Sequence, residues 1–241
     1  MKILRVFLVG LLWLGASSEM LSSAQSQTCQ VPSQFETIQA AIDDASCETI
    51  RIAAGIYTEK LFIGNQGPTR GVNLIGAGEG ITILDGNEAF TVIWIATGTV
   101  AISDLTVQNG KSSNRGGLGG CIHLGIEGIN PQSLILHVAL SRVSIQDCQG
   151  ENGGGIMMRG IFTPANTLAL DQVTLQRNSA IIGAGIALTH SGPTPTRTSV
   201  TLNNVVFKDN HASREGGGIF ANQSISLNKV RVESNSAEVG G

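Results

Sequence analysis

Three kinds of side chain in this sequence have the reach to do chemistry: four histidines, two carboxylates in one loop, and a tryptophan set among aliphatic residues. His211 stands in NHASREGGGIF (Asn210 to Phe220), between an asparagine and three glycines. Such a stretch suggests a titratable switch, a metal ligand or a phosphate-cradling loop. No Gly-Lys-Ser/Thr follows the glycines and no long helix pattern starts there, so a phosphate loop is excluded. His123, His137, His190 and His211 sit at unrelated repeat positions with no serine or cysteine nucleophile nearby, which argues against a triad or a histidine metal cluster. Asp85 and Glu88 share the loop LDGNEAF (Leu84 to Phe90) and are the candidate calcium-binding carboxylates. Trp94, in TVIWIATG, alternates with Ile93 and Ile95 and is expected to face outward. There its indole would either stack on a sugar or pack under a neighbouring loop. Asp43 and Asp44 read as solvated charges on a helix.

What positions these residues is a repeat. Five blocks of eleven residues align without gaps: VAISDLTVQNG from Val100, VALSRVSIQDC from Val138, LALDQVTLQRN from Leu168, VTLNNVVFKDN from Val200 and ISLNKVRVESN from Ile225. The first, third, sixth and eighth columns are aliphatic or Phe throughout. Positions one and three alternate as a strand does, as do six and eight, and the phase slips by one between them. Each block is therefore two short strands meeting at a corner. The small polar residues Ser103, Ser141, Asp171, Asn203 and Asn228 are expected to make that corner.

After each block comes a polar turn and a glycine-rich third strand: GGCIHL, GGGIMM, GAGIAL and GGGIFA. Strands this short cannot bury a face alone, so the coils must stack in parallel as a solenoid. Stacking turns columns into ladders about 4.8 Å apart. The eleventh position holds Asn178, Asn210 and Asn235, whose amides should hydrogen-bond along the column within a turn. In register, Arg177 lies between Asp147 and Asp209, and Lys208 beside Glu233. Asp147 and Asp209 are thereby kept apart and do not form a catalytic carboxylate pair.

The first 24 residues read as a secretory signal. Lys2 and Arg5 precede an apolar run, Val6 to Gly15, too short to span a bilayer, with small residues around Ser22 and Ala24 for cleavage; a retained anchor is the alternative. Once the signal is removed no transmembrane segment is expected. Residues 25–48 form an N-terminal cap containing an amphipathic helix, FETIQAAIDDA, with Ile38, Ala41 and Ile42 on one face. Residues 49–241 form the solenoid, which is expected to be truncated because NSAEVGG stops before its third strand. A net charge of −3 provides no footprint for nucleic acid. Four cysteines without a Cys-x-x-Cys spacing suit an oxidising compartment better than a zinc site. Cys29 and Cys47 are the expected disulfide, while the pairing of Cys121 and Cys148 stays open.

The blocks resemble those of right-handed parallel β-helix proteins of the pectin-lyase-like superfamily. The FKDN and GGGI elements are similar to the Phe-x-x-Asn and Gly-Gly-Ala-Ile repeats of chlamydial polymorphic outer-membrane proteins. The resemblance implies an all-β fold, a single right-handed parallel β-helix of three short strands per coil behind an N-terminal capping helix. It also implies two functions. One is a secreted or cell-surface scaffold presenting loops for adhesion or glycan binding, with extracellular polysaccharide or a cell surface as partner and no cofactor. The alternative is a polysaccharide lyase or glycoside hydrolase acting on acidic polysaccharide, with calcium as cofactor if it is a lyase. The Asn-Thr-Asp, His-Gly and Arg-Ile-Lys motifs of polygalacturonases do not occur, and the scaffold is the favoured expectation.

Overall fold

The computed structural model of the chain describes residues 27–64, 71–112, 119–125, 136–160, 166–190 and 198–241. The expected signal segment, 1–24, lies outside the described residues.

The chain is an all-β protein built from stacked parallel strands. All strand pairings among the described residues are parallel. One wall follows the order Gln27–Val31, Cys47–Ile52, Gly71–Ile75, Gly98–Gln108, Leu136–Gln146, Thr167–Gln176, Ser199–Asn203, Ser226–Asn228. A second wall runs Leu61–Ile63, Ile93–Ile95, Ile122–Leu124, Ile156–Gly160, Ile186–His190, Ile219–Ala221. Between them, Ser179–Ile182 pairs with His211–Glu215, so the polar turn after each block is itself a short strand in part.

The block alignment is the observed register. Val100 pairs with Val138, Leu140 with Leu170, and Leu202 with Leu227, so the aliphatic columns run up the interior. Val100, Ile102, Leu105 and Val107 are buried, as are their counterparts Val138, Leu140, Val143 and Ile145. In the final coil Leu227 and Val232 occupy the same columns and are exposed.

The corner lies one residue later than the sequence suggests. The fourth-position residues stay paired in the ladder, and the fifth, Asp104, Arg142, Gln172, Asn204 and Lys229, take left-handed backbone with φ of 52° to 59°. A second left-handed column closes the block at its tenth position: Asn109, Asp147, Arg177, Asp209 and Ser234, φ 51° to 58°. Left-handed backbone is unfavourable for any residue with a Cβ, roughly 1–2 kcal/mol in the steric limit and less for Asn and Asp. In each column one corner is clamped to the next. Arg142 forks onto Asp104 with Nε–Oδ1 2.5 Å and Nη2–Oδ2 2.8 Å, and Arg177 onto Asp147 with both contacts at 2.8 Å.

The third turn uses glycine where the others do not. Gly153, Gly183 and Gly216 have φ of 63° to 65° and precede the second-wall strands. Two residues past Gly183, Gly185 admits the Phe207 ring: a Cβ there would meet Phe207 Cδ1 at 2.7 Å. At Gly155 and Gly185 a Cβ would also meet the next coil's carbonyl, Gly185 O at 2.6 Å and Gly218 O, and this close approach explains the two glycines better than flexibility does.

The helix is shorter than its sequence pattern, Ile38–Asp43 within the expected 35–45. Thr37 caps it by accepting from Ala40 N at 3.1 Å, and Asp44 is already extended, which ends it. Ile38, Ala41 and Ile42 are buried, as their spacing requires. The carboxylate of Glu59 accepts from the backbone N–H groups of Ile38 and Gln39, each at 3.1 Å, at the positive end of the helix. Gln39 then acts as a strand surrogate. Its side-chain amide accepts from Phe62 N at 2.8 Å and donates to Phe62 O at 3.2 Å, so it pairs the edge of the second wall.

Candidate functional site

The second wall sets one residue of each strand outward, because the residues on either side of it point in. Register places Phe62, Trp94, His123, Met157, Ala187 and Phe220 in a single outward column. Leu61, Ile63, Ile93, Ile95, Ile122 and Leu124 flank the first three and are buried in the core. Trp94 is thus outward-facing, as its alternation implies, and half-buried.

Three rings form a stack. Trp94 meets Phe62 edge-to-face, with centroids 5.4 Å apart and planes at 88°, and meets His123 at 5.6 Å and 86°. Edge-to-face pairs at this spacing fix ring orientation and contribute about 0.5–1.5 kcal/mol each. The Trp94 indole N–H donates to Gly125 O at 2.9 Å, which fixes the ring against the end of the neighbouring strand. Phe62 is held in turn by Gln39. Helix, strand edge and aromatic column are therefore one connected unit.

His123, like Met157 and Ala187 further along, is buried although its column faces outward. Its Nδ1 accepts from Gly119 N at 3.4 Å. Burial, aided by the positive charge of Arg159, lowers its pKa to about 4, so the imidazole is neutral near pH 7 and a weak base. The other histidines with described side chains lie elsewhere. His137 Nδ1 is 2.9 Å from Thr167 Oγ1, and His211 Nδ1 is 2.8 Å from Ser236 Oγ. The side chain of His190 lies outside the described residues. Among the described residues no group of three His, Cys, Asp or Glu side chains is placed to hold a metal ion.

Asp85 is committed to the wall rather than to the loop it shares with Glu88. Its Oδ2 accepts from Gln108 Nε2 at 2.8 Å and Asn109 Nδ2 at 2.9 Å, and its Oδ1 accepts from Asn87 N at 2.8 Å. Burial pushes its pKa up, but these three bonds outweigh it and hold the carboxyl below its ordinary value. Glu88 is exposed on left-handed backbone, with its N–H donating to Asn109 O at 2.8 Å. Asp43 accepts from Gln39 Nε2 at 2.8 Å, and Asp44 from Ser46 N at 2.9 Å.

Of the two amide ladders in this scaffold, the asparagine ladder follows its sequence column and the glutamine ladder escapes sequence reasoning. Outside, Asp85 begins an amide ladder: Gln108 donates to Asp85, Gln146 to Gln108 at 3.1 Å, and Gln176 to Gln146 at 2.7 Å. The column Gln108, Gln146, Gln176 was the available signal. Inside, the asparagines stack as their column implies, with Asn178 and Asn210 buried and Asn235 partly so. Asn178 Nδ2 donates to Asn210 Oδ1 at 3.0 Å, and Asn210 Nδ2 to Asn235 Oδ1 at 2.7 Å. Cysteine pairing completes the frame. Cys29 is bonded to Cys47 and Cys121 to Cys148, each with Cα atoms 5.5 Å apart.

The class of protein that fold and site define is a parallel β-strand solenoid with an aromatic column on one outer wall. No protein-family model, curated protein or solved structure matches the chain. No helix among the described residues is long and apolar enough to cross a membrane.

Proposed function

We propose that the protein is an exported, cell-surface or extracellular β-helix scaffold whose second wall contacts glycan. Its repeats resemble those of pectin-lyase-like β-helices and of chlamydial polymorphic outer-membrane proteins, and two disulfides suit an oxidising compartment. The observation that carries the reading is Trp94, a half-buried indole on the outer side of the second wall, held at right angles to the rings of Phe62 and His123. A ring fixed in advance loses little freedom on binding and offers a flat apolar face for the C–H side of a sugar. The alternative, a lyase using Asp85 and Glu88 with calcium, draws no support from Asp85, whose two oxygens already accept three hydrogen bonds.

Binding to immobilised neutral and acidic polysaccharides tests this, using the wild type, Trp94→Ala and Trp94→Phe. Loss of the stacking surface should weaken glycan binding roughly tenfold or more in the alanine variant, with partial retention in the phenylalanine variant. Equal retention of all three proteins, or binding of none, would refute the reading. Release of unsaturated oligosaccharides from pectate or alginate with added calcium would replace it with the lyase.

A further inference from the structure

The sequence holds one Asn-x-Ser/Thr triplet that is not interrupted by proline, Asn222-Gln223-Ser224. We propose that Asn222 is the acceptor of an N-linked glycan. The inference rests on the export reading above, because the transfer occurs only in a secretory compartment.

Placement separates this asparagine from those of the repeat. Asn178 and Asn235 are each followed by Ser-Ala, so they lack the triplet, and their side-chain amides are spent inside the ladder. Asn210 is followed by His-Ala and is buried. Asn222 lies outside the repeat blocks, in the bend that joins Ile219–Ala221 to Ser226–Asn228. Both Asn222 and Ser224 are exposed, so the acceptor amide and the hydroxyl two residues on can be reached together. The bend is anchored from behind, since Asn222 N donates to Leu188 O at 3.1 Å on the preceding coil. The side chain therefore leaves a fixed backbone at the rim of the second wall. A glycan there would stand two residues past Phe220 on the same coil, at the far end of the column that begins with Phe62 and Trp94.

The reaction needs a polyprenyl-diphosphate-linked oligosaccharide and its transferase as co-reactants. The bond between Asn222 Nδ2 and the sugar C1 forms as the bond from C1 to the diphosphate oxygen breaks. The diphosphate leaves with the electron pair, and Nδ2 gives up one proton. No oxidant or reductant is required.

The test is expression of the full chain in eukaryotic secretory cells, alone and fused behind a leader of proven export. The readouts are intact mass, peptide mapping and sensitivity to an endoglycosidase that releases N-glycans. The wild type should carry one glycan on the peptide containing Asn222; Asn222→Gln and Ser224→Ala should carry none; Ser224→Thr should restore or increase occupancy. Exported wild-type protein whose Asn222 peptide is unmodified would overturn the proposal, as would a glycan that persists in Asn222→Gln. Retention of the unfused chain inside the cell would count against export alone, because the fused chain decides the glycan independently.

Discussion

Replacing Asn210 tests the interior ladder most directly, because this residue is fully buried and uses every polar atom of its side chain. Its Oδ1 accepts from Asn178 N and Asn178 Nδ2, both at 3.0 Å. Its Nδ2 donates to Leu175 O at 2.9 Å and Asn235 Oδ1 at 2.7 Å. Asn210→Ala removes four hydrogen bonds. Asn178 Nδ2 keeps Ile145 O, and Asn235 Oδ1 keeps Asn210 N, so two of the four former partners remain satisfied. Asn178 N–H loses its Oδ1 acceptor and Leu175 O loses a donor, both among buried side chains. At about 1–3 kcal/mol for each buried group left unsatisfied, plus the cavity of the missing amide, the loss is about 3–5 kcal/mol. Asn210→Asp keeps the shape but sets a carboxylate oxygen against two acceptors. Burial then raises the pKa of that aspartate above its unfolded value, and the folded state holds the proton more tightly. Stability of this variant should be greatest below about pH 4 and decline as pH rises toward the folded pKa, whereas Asn210→Ala shows no such added slope. Urea titrations followed by circular dichroism at several pH values measure both effects. A loss under about 1 kcal/mol for Asn210→Ala, or an Asn210→Asp profile parallel to wild type, would refute the account.

Three further outcomes follow from the same geometry. Gln172 occupies a left-handed corner, φ 55°, without a charge partner of the kind Arg142 and Arg177 have, so Gln172→Asn should stabilise by about 0.5–1 kcal/mol in thermal melts. The Cys121–Cys148 bond spans 27 residues, and the pair exchanged for serine should lose about 3.5 kcal/mol, measured against wild type with and without reductant. His123 binds its proton more weakly folded, at about 4, than unfolded, at 6.5. The unfolded chain therefore holds more protons between those values. Stability from this group is complete above about pH 6.5 and is lost as pH falls toward 4, and His123→Gln should flatten that slope in pH-dependent unfolding.

The columns of Val100, Ile102, Leu105 and Val107 and their repeats were legible because burial selects apolar side chains at each rung, and the observed register follows them. The corner was read one residue early for a physical reason. Ser103, Ser141 and Asn203 look like turn residues, but left-handed backbone at Arg142, Gln172 and Lys229 leaves little compositional mark. Stacking against equivalent corners holds those residues, and a single block cannot reveal it. The pairing of Gln39 with Phe62 and of Glu59 with the helix start was likewise hidden, since each joins segments more than 18 residues apart. Trp94 could be assigned to an outer face by alternation alone. Its clamping between Phe62 and His123 required the register of three coils.

The two amide ladders run in opposite directions, and this bears on which columns can be altered. Outside, each donor points toward the N-terminal coil, from Gln176 to Gln146 to Gln108 and finally to Asp85. A chain of donors with that polarity ends without a leftover donor when its last partner only accepts, and a carboxylate is such a group. At the other end the next residue in register is Lys208, which only donates. Asp171 does the same for the shorter column of Asn203 and Asn228, again at the N-terminal end. Inside, the donors of Asn178 and Asn210 point toward the C-terminal coil, and the column begins at Cys148, whose side chain is bonded to Cys121 instead. The departures from the repeat at Asp85, Asp171 and Cys148 therefore mark ladder ends, two of them closed by a carboxylate. On the proposed scaffold reading, contact with glycan falls to positions no ladder uses, and Trp94 on the second wall is the candidate among them.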